Sequence, residues 1–145
     1  MTTKRTGTPW MASDAYGKTL AGLSLNLIVR DVAASVPFYR DVLGMTVHYA
    51  DLDMAALQLD TTQIVLHADH TYDKQPWAGR LAVAGKRGFG AEIRILGIDP
   101  DAAERRAKDR GATVLVGARD WPHGWRDVLL EDPDGYTFAV GMALR

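Results

Sequence analysis

The sequence predicts an α+β fold built from two copies of one unit, a strand, a helix and three further strands. Three observations carry that expectation. Apolar and polar residues alternate at 23–30 and again at 91–96, each time just ahead of a helix-start signal. Each helix is bracketed alike, by Asp31 and Gly44 in the first copy and by Asp99 and Gly111 in the second, thirteen and twelve positions apart. The strand after each helix opens on Met45-Thr46-Val47 or on its echo, Ala112-Thr113-Val114. A pattern that restarts in this way within one chain is an internal repeat.

The elements follow in order. Residues 1–21 are set apart as an N-terminal arm, rich in Thr, Gly and Lys, with only Trp10, Met11 and Tyr16 to dock it. The domain proper is expected over 22–145, with modules at about 22–70 and 89–143. In the first strand Leu23, Leu25, Leu27 and Val29 share one face, and Ser24, Asn26, Ile28 and Arg30 the other. The first helix puts Val32, Val36, Tyr39 and Leu43 on one stripe, and Gly44 stops it. Pro37 conflicts with an unbroken helix from Asp31, because its ring would meet the carbonyl of Ala33; a kink, or a start delayed to near Ser35, is expected.

Three short strands are expected at about 45–51, 53–59 and 62–68, turned by Asp51-Leu52-Asp53 and Asp60-Thr61-Thr62. The polar stretch 69–88 reads as a loop with room for a short helix. In the second copy Asp99 is the N-cap, Pro100 takes the first helical position and Gly111 ends the helix. A long link, Gly117 to Trp125, is expected between the second and third strands of that copy.

A chain of 145 residues with 47% apolar content is one domain, or two small halves sharing a core. Seventeen basic against eighteen acidic residues give a formal charge of -1, which favours neither a nucleic-acid backbone nor an anionic membrane surface. The expected partner is a small molecule or a second copy of the chain. The absence of cysteine rules out disulfides, a thiolate nucleophile and a Cys-ligated zinc site, so any metal must be held by His, Asp, Glu or neutral oxygen. No stretch approaches the ~20 apolar residues of a membrane span, and no apolar leader follows Met1; a cytoplasmic location is expected.

Val29-Arg30-Asp31-Val32-Ala33-Ala34-Ser35, Phe38-Tyr39-Arg40-Asp41-Val42-Leu43-Gly44 and Glu131-Asp132-Pro133-Asp134-Gly135-Tyr136, taken with the two-copy order, resemble the vicinal oxygen chelate superfamily. That superfamily includes glyoxalase I, bleomycin-resistance proteins and extradiol dioxygenases, and the resemblance covers roughly residues 22–143. The matched motifs are fold elements, a helix with its stop and a turn into the last strand, so they identify a scaffold and no reaction. The resemblance implies paired βαβββ modules that bend a mixed sheet around a concave cavity, with helices on the convex side. It also implies a homodimer, as in many members.

On that expectation the apolar strand faces cover the helices and the other faces line the cavity. Metal-dependent members carry ligands on the first, fourth, fifth and eighth strands, and the matching positions here hold Ser24, Val65, Glu92 and Ala139. Only Glu92 is a strong ligand, whereas a catalytic Zn or Fe site usually needs at least three protein ligands. No cofactor is therefore expected; a divalent metal held by other ligands is the alternative.

The expected ligand-binding residues are Ser24, Asn26, Gln63, His67, Glu92, Arg94, Trp121, His123 and Trp125, a set of donors, acceptors and rings suited to an organic ligand with several polar groups. Arg94 either clamps a carboxylate or phosphate or is neutralised by Glu92. The segment Trp121-Pro122-His123-Gly124-Trp125-Arg126 is similar to one that borders the ligand groove in bleomycin-resistance-like members. Its tryptophans either stack on an aromatic ligand or pack a dimer interface.

His67-Ala68-Asp69-His70 ends the fourth strand. His67 is expected to face the cavity, with Asp69 and His70 in the exit turn. Either the three polar residues form a local metal site, or Asp69 orients a neighbouring imidazole by a hydrogen bond. The expected function is a small-molecule-binding protein of the glyoxalase/bleomycin-resistance/dioxygenase type without the usual metal site. The alternative is a lyase, isomerase or dioxygenase with a relocated site, in which His67 and Glu92 are catalytic. An imidazole with a pKa of about 6.5 suits proton abstraction near neutrality. A third reading has the cavity closed by its own side chains and the surface serving a partner.

Overall fold

The repeated unit is present twice in a computed structural model of the chain, which describes residues 10–145. The first nine positions of the expected arm lie outside the described residues. The fold is α+β, with two four-stranded mixed sheets. Contacts divide the chain into unit 1, which holds the described residues up to Val36 and Met45–Ala84, and unit 2, which holds Pro37–Gly44 and Gly85–Arg145. Among the described residues no helix is long and apolar enough to cross a membrane.

In unit 1 the strands β1 (Ser24–Val29), β2 (Thr46–Ala50), β3 (Met54–Leu59) and β4 (Thr62–Ala68) lie in the order β1-β4-β3-β2. β1 runs parallel to β4, while β2, β3 and β4 form an antiparallel meander on short turns. The alternation read from β1 is not matched by its burial, since Ser24 and Leu25 are both half-buried and Asn26 is exposed. Leu27, Ile28 and Val29 are all buried, so the second half is covered on both faces, and Leu23 lies outside the strand and exposed.

The first helix, α1 (Ser13–Gly17), belongs to the N-terminal arm. The second, α2 (Val32–Pro37), starts where Asp31 predicts it: the Asp31 carboxylate accepts from the Ala34 N–H at 3.0 Å. Pro37 has no N–H for the Ala33 carbonyl, and the chain responds by widening into a π-helical turn over Phe38–Val42, closed by the Leu43 N–H on the Phe38 carbonyl at 3.1 Å. The expected distortion thus falls after the proline, and the helix start is not delayed. Gly44 then takes a left-handed φ of 78°, which ends the turn. Two single 3-10 turns, Asp69–Tyr72 and Ala78–Ala82, occupy the stretch read as a loop.

In unit 2 the strands β5 (Glu92–Leu96), β6 (Thr113–Trp121), β7 (Trp125–Glu131) and β8 (Thr137–Ala143) repeat the order as β5-β8-β7-β6. The helix α3 (Pro100–Asp109) packs on β6, β7, β8 and the π turn. Asp99 caps it by accepting from the Asp101 N–H at 3.0 Å, with Pro100 in the first position. The expected link from Gly117 to Trp125 is instead mostly strand. β6 continues to Trp121 through two register shifts and pairs Arg119 with Asp127 and Trp121 with Trp125. Bulges absorb the extra residues, so a Gly-containing, irregular stretch remains in the ladder.

The core of unit 2 is built on Phe38, Tyr39 and Phe138, whose rings lie 5.2 to 5.6 Å apart in tilted and edge-on pairs. Tyr39 is fully buried and donates its hydroxyl to Asp132 at 2.7 Å, so two of the motifs that carried the resemblance bond to one another. The other Asp132 oxygen accepts the N–H groups of Asp134 and Tyr136 and shapes the turn into β8. Burial, opposed by these hydrogen bonds, pushes the Asp132 carboxyl above its ordinary value; burial and then the Asp132 charge push the Tyr39 phenol well above its own.

Candidate functional site

Unit 1 contains a cavity of about 270 Å³. On β1, Ser24 and Asn26 are two positions apart and share a face; on β4, Val65 and His67 do the same. The parallel register sets Asn26 opposite Val65, and the antiparallel register sets Met54 of β3 opposite His67. These five side chains line the cavity, joined by Tyr72 from the 3-10 turn after β4 and by Trp10, Met11, Ser13, Tyr16 and Leu20 from the N-terminal arm. Met54, Ala56 and Val65 form a buried apolar cluster against which Tyr16 and Tyr49 pack.

One hydrogen-bonded chain supplies most of the polarity. Asn26 Nδ2 donates to the Tyr72 hydroxyl at 2.5 Å, and Asn26 Oδ1 lies 2.7 Å from His67 Nδ1. An amide oxygen only accepts, so His67 Nδ1 carries the proton and, in the neutral ring, Nε2 carries the lone pair. The Tyr72 ring meets His67 edge-on at 5.0 Å and stacks on Trp77 at 5.8 Å. No Lys, Arg, Asp or Glu side chain lines this cavity among the described residues.

His67 and His70 have different surroundings. His70 Nε2 lies 2.8 Å from a carboxylate oxygen of Asp53, which is fully buried in the turn between β2 and β3. The backbone ties the same places together, with the Ala68 N–H donating to the Asp53 carbonyl at 2.8 Å. The local metal site considered for His67, Asp69 and His70 is not assembled: among the described residues no group of three or more His, Asp or Glu is arranged to hold a metal ion. The positions matched to the superfamily's ligands do not fit one either, since Val65 and Ala139 offer no donor atom and both are buried.

Unit 2 contains a more open cavity of about 310 Å³, lined by Glu92 and Arg94 of β5, Trp121 of β6, His123 of the following turn, and Asp127 and Leu129 of β7. Trp121 donates its indole N–H to the buried Asp127 carboxylate at 2.6 Å, and the Arg119 guanidinium lies 3.7 Å over the Trp121 ring. The His123 ring lies near parallel to Trp121 at 6.3 Å, and Arg94 lies 5.8 Å over the Trp125 ring.

The expected site residues are thus distributed within the units. Ser24, Asn26 and His67 line the first cavity; Glu92, Arg94, Trp121 and His123 line the second. Gln63, half-buried and opposite Ser24 and Gln58, lines neither, and nor does Trp125. Sequence reasoning missed Tyr72, Met54 and Asp127, and treated Trp10, Met11 and Tyr16 only as docking residues of the arm. Large apolar side chains in an otherwise polar segment were the available signal for these last three. Tyr72 had none, because a 3-10 turn has no period long enough to read.

The sequence model of the Glyoxalase/Bleomycin resistance protein/Dioxygenase superfamily matches residues 23–140. No curated protein matches the chain. Among solved structures, a glyoxalase/bleomycin resistance protein/dioxygenase family enzyme from Burkholderia phytofirmans PsJN is similar at 20% identity, with a TM-score of 0.68, 83% of this chain covered and 97% of that one. A glyoxalase/bleomycin resistance protein/dioxygenase from Nocardioides is similar at 22% identity, TM-score 0.63, with 91% and 93% covered. Lactoylglutathione lyase from Agrobacterium tumefaciens is similar at 19% identity, TM-score 0.62, with 84% and 92% covered. At such identities the likeness carries the fold and no reaction. By the extent of the matched region and the two-copy architecture, the chain belongs to the Glyoxalase/Bleomycin resistance protein/Dioxygenase superfamily.

Proposed function

We propose that the chain is a small-molecule-binding protein that holds its ligand in the unit 1 cavity and needs no metal to do so. The observation that carries this reading is the Asn26, His67 and Tyr72 hydrogen-bonded set, placed in a cavity whose other described lining residues are two rings, two methionines, two serines, Leu20 and Val65. A few fixed polar groups in an apolar, concave surface are what orient and retain a compact organic ligand. Calorimetric titration of the metal-stripped chain with Zn²⁺, Mn²⁺, Ni²⁺ and Fe²⁺ is expected to show no tight stoichiometric binding. A tight one-to-one complex lost on replacing His67 or Glu92 would overturn the metal-free reading.

The protein in this reading acts in the cytoplasm as a homodimer, as many superfamily members are dimers; sedimentation analysis is expected to return twice the chain mass. A second reading, a lyase, isomerase or dioxygenase, is favoured by the His67 tautomer, because a general base needs an oriented ring with its lone pair on a defined nitrogen. Glu92, the other residue expected to be catalytic, lines the unit 2 cavity. His67→Ala abolishes turnover if this reading holds, and unchanged turnover eliminates His67 as the base.

A further inference from the structure

We propose that the N-terminal segment Trp10–Leu20 forms one wall of the unit 1 site and that this wall selects an uncharged, planar aromatic ligand bearing a hydroxyl or carbonyl oxygen. The proposal rests on reading that cavity as the ligand site. Of the eleven described residues that line it, five come from this segment. The segment is seated by rings: Trp10 stacks on Tyr49 at 4.6 Å with planes 16° apart and meets Tyr16 at 5.1 Å, while Tyr16 packs on the Met54, Ala56 and Val65 cluster. Its helix α1 has five residues, none of them buried, and no side-chain cap. A helix that short has no stability of its own, so its position depends on those aromatic contacts.

The ligand class follows from the lining. Trp10, Tyr16, His67 and Tyr72 present rings, and Met11 and Met54 present polarizable sulfur, a combination that favours stacked and edge-on contact with a flat aromatic. A charged ligand would exchange its hydration for a lining that, among the described residues, has no Lys, Arg, Asp or Glu side chain to pair with it, which is unfavourable. The Tyr72 oxygen accepts from Asn26, so its own proton is the donor left to meet a ligand oxygen.

The test uses the full chain and three probes, 2-naphthol, 2-naphthoate and 2-naphthylmethylammonium, titrated calorimetrically at neutral pH. 2-Naphthol is expected to bind about tenfold tighter than either ion. Trp10→Ala and Met11→Ala are each expected to weaken it several-fold, and Trp10→Phe to restore most of the loss in the first. Equal binding of the ions, unchanged affinity in both alanine variants, or no binding of 2-naphthol to the wild-type chain overturns the proposal. Ser24→Phe, which fills the cavity from β1, separates the two readings. If it abolishes 2-naphthol binding while both alanine variants bind normally, the cavity is the site and the wall is irrelevant. If Ser24→Phe also binds normally, the cavity reading itself fails.

Discussion

Asn26 serves two neighbours through one amide, accepting from His67 with its oxygen and donating to Tyr72 with its nitrogen. Asn26→Ala therefore removes two hydrogen bonds at an exposed position, and a loss of about 0.5–1.5 kcal/mol in unfolding free energy is expected by urea denaturation. Asp132 makes a different kind of demand. Its carboxyl is raised by burial, so the folded chain holds that proton to higher pH than the unfolded chain does. The stabilising contribution is then present in full below the ordinary carboxyl range and is lost as pH rises through the raised value. Asp132→Asn has no such proton to lose. The stability difference between variant and wild type is expected to shift in favour of the variant on going from acid to neutral pH, read from urea midpoints. The sequence placed Ser24, Asn26 and His67 on cavity-facing positions because a strand has a period of two; the bond between Asn26 and His67 was not legible, since it depends on a register between strands 41 positions apart.

Strand pairing in unit 2 leaves no room at Gly141. A Cβ there would meet the Arg126 carbonyl and come within 2.5 Å of the Asp127 Cβ. Gly141→Ala is expected to cost about 1–3 kcal/mol and lower the thermal midpoint, with a change in tryptophan emission as Asp127 is pushed off Trp121. Helix ends and strand starts were the most legible features, because Asp31, Gly44, Asp99, Pro100 and Gly111 act through local backbone chemistry. β6 was misread in its second half. A bulged strand keeps its partners while losing its alternation, so residues 117–121 show the composition of a loop and the bonding of a sheet. The π turn was legible only as a conflict at Pro37, since the rule that forbids a regular helix there does not say which irregular one replaces it.

The two copies of the repeat share a topology and differ in what their cavities offer. Among the described residues unit 1 lines its cavity with rings, an amide, hydroxyls and apolar side chains and no Lys, Arg, Asp or Glu; unit 2 lines its own with Glu92, Arg94 and Asp127 around Trp121 and His123. The architecture was legible because duplication repeats patterning and caps. The difference between the cavities was not, because it depends on an arm without periodicity and on Asp127, which sits opposite the β8 glycine. The division of the chain also has a consequence for dissection. Unit 2 takes Pro37–Gly44 from the middle of unit 1's sequence, so residues 85–145 expressed alone lack Phe38, Tyr39, Val42 and Leu43. Circular dichroism of that fragment is expected to show an unfolded chain, and addition of a peptide spanning 37–44 is expected to recover part of the signal.

The bond from Tyr39 to Asp132 joins residues 93 positions apart. During synthesis Tyr39 leaves the ribosome long before Asp132 exists, and its hydroxyl and ring must wait in water or in passing contacts while all of β2 to β7 and α3 emerge. Closing so long a loop carries an entropic toll that no local pattern repays, so this aromatic corner is expected to form late in folding. Until that step the greasy faces of Phe38 and Phe138 lack one another, and aggregation during refolding is expected to fall once they have met.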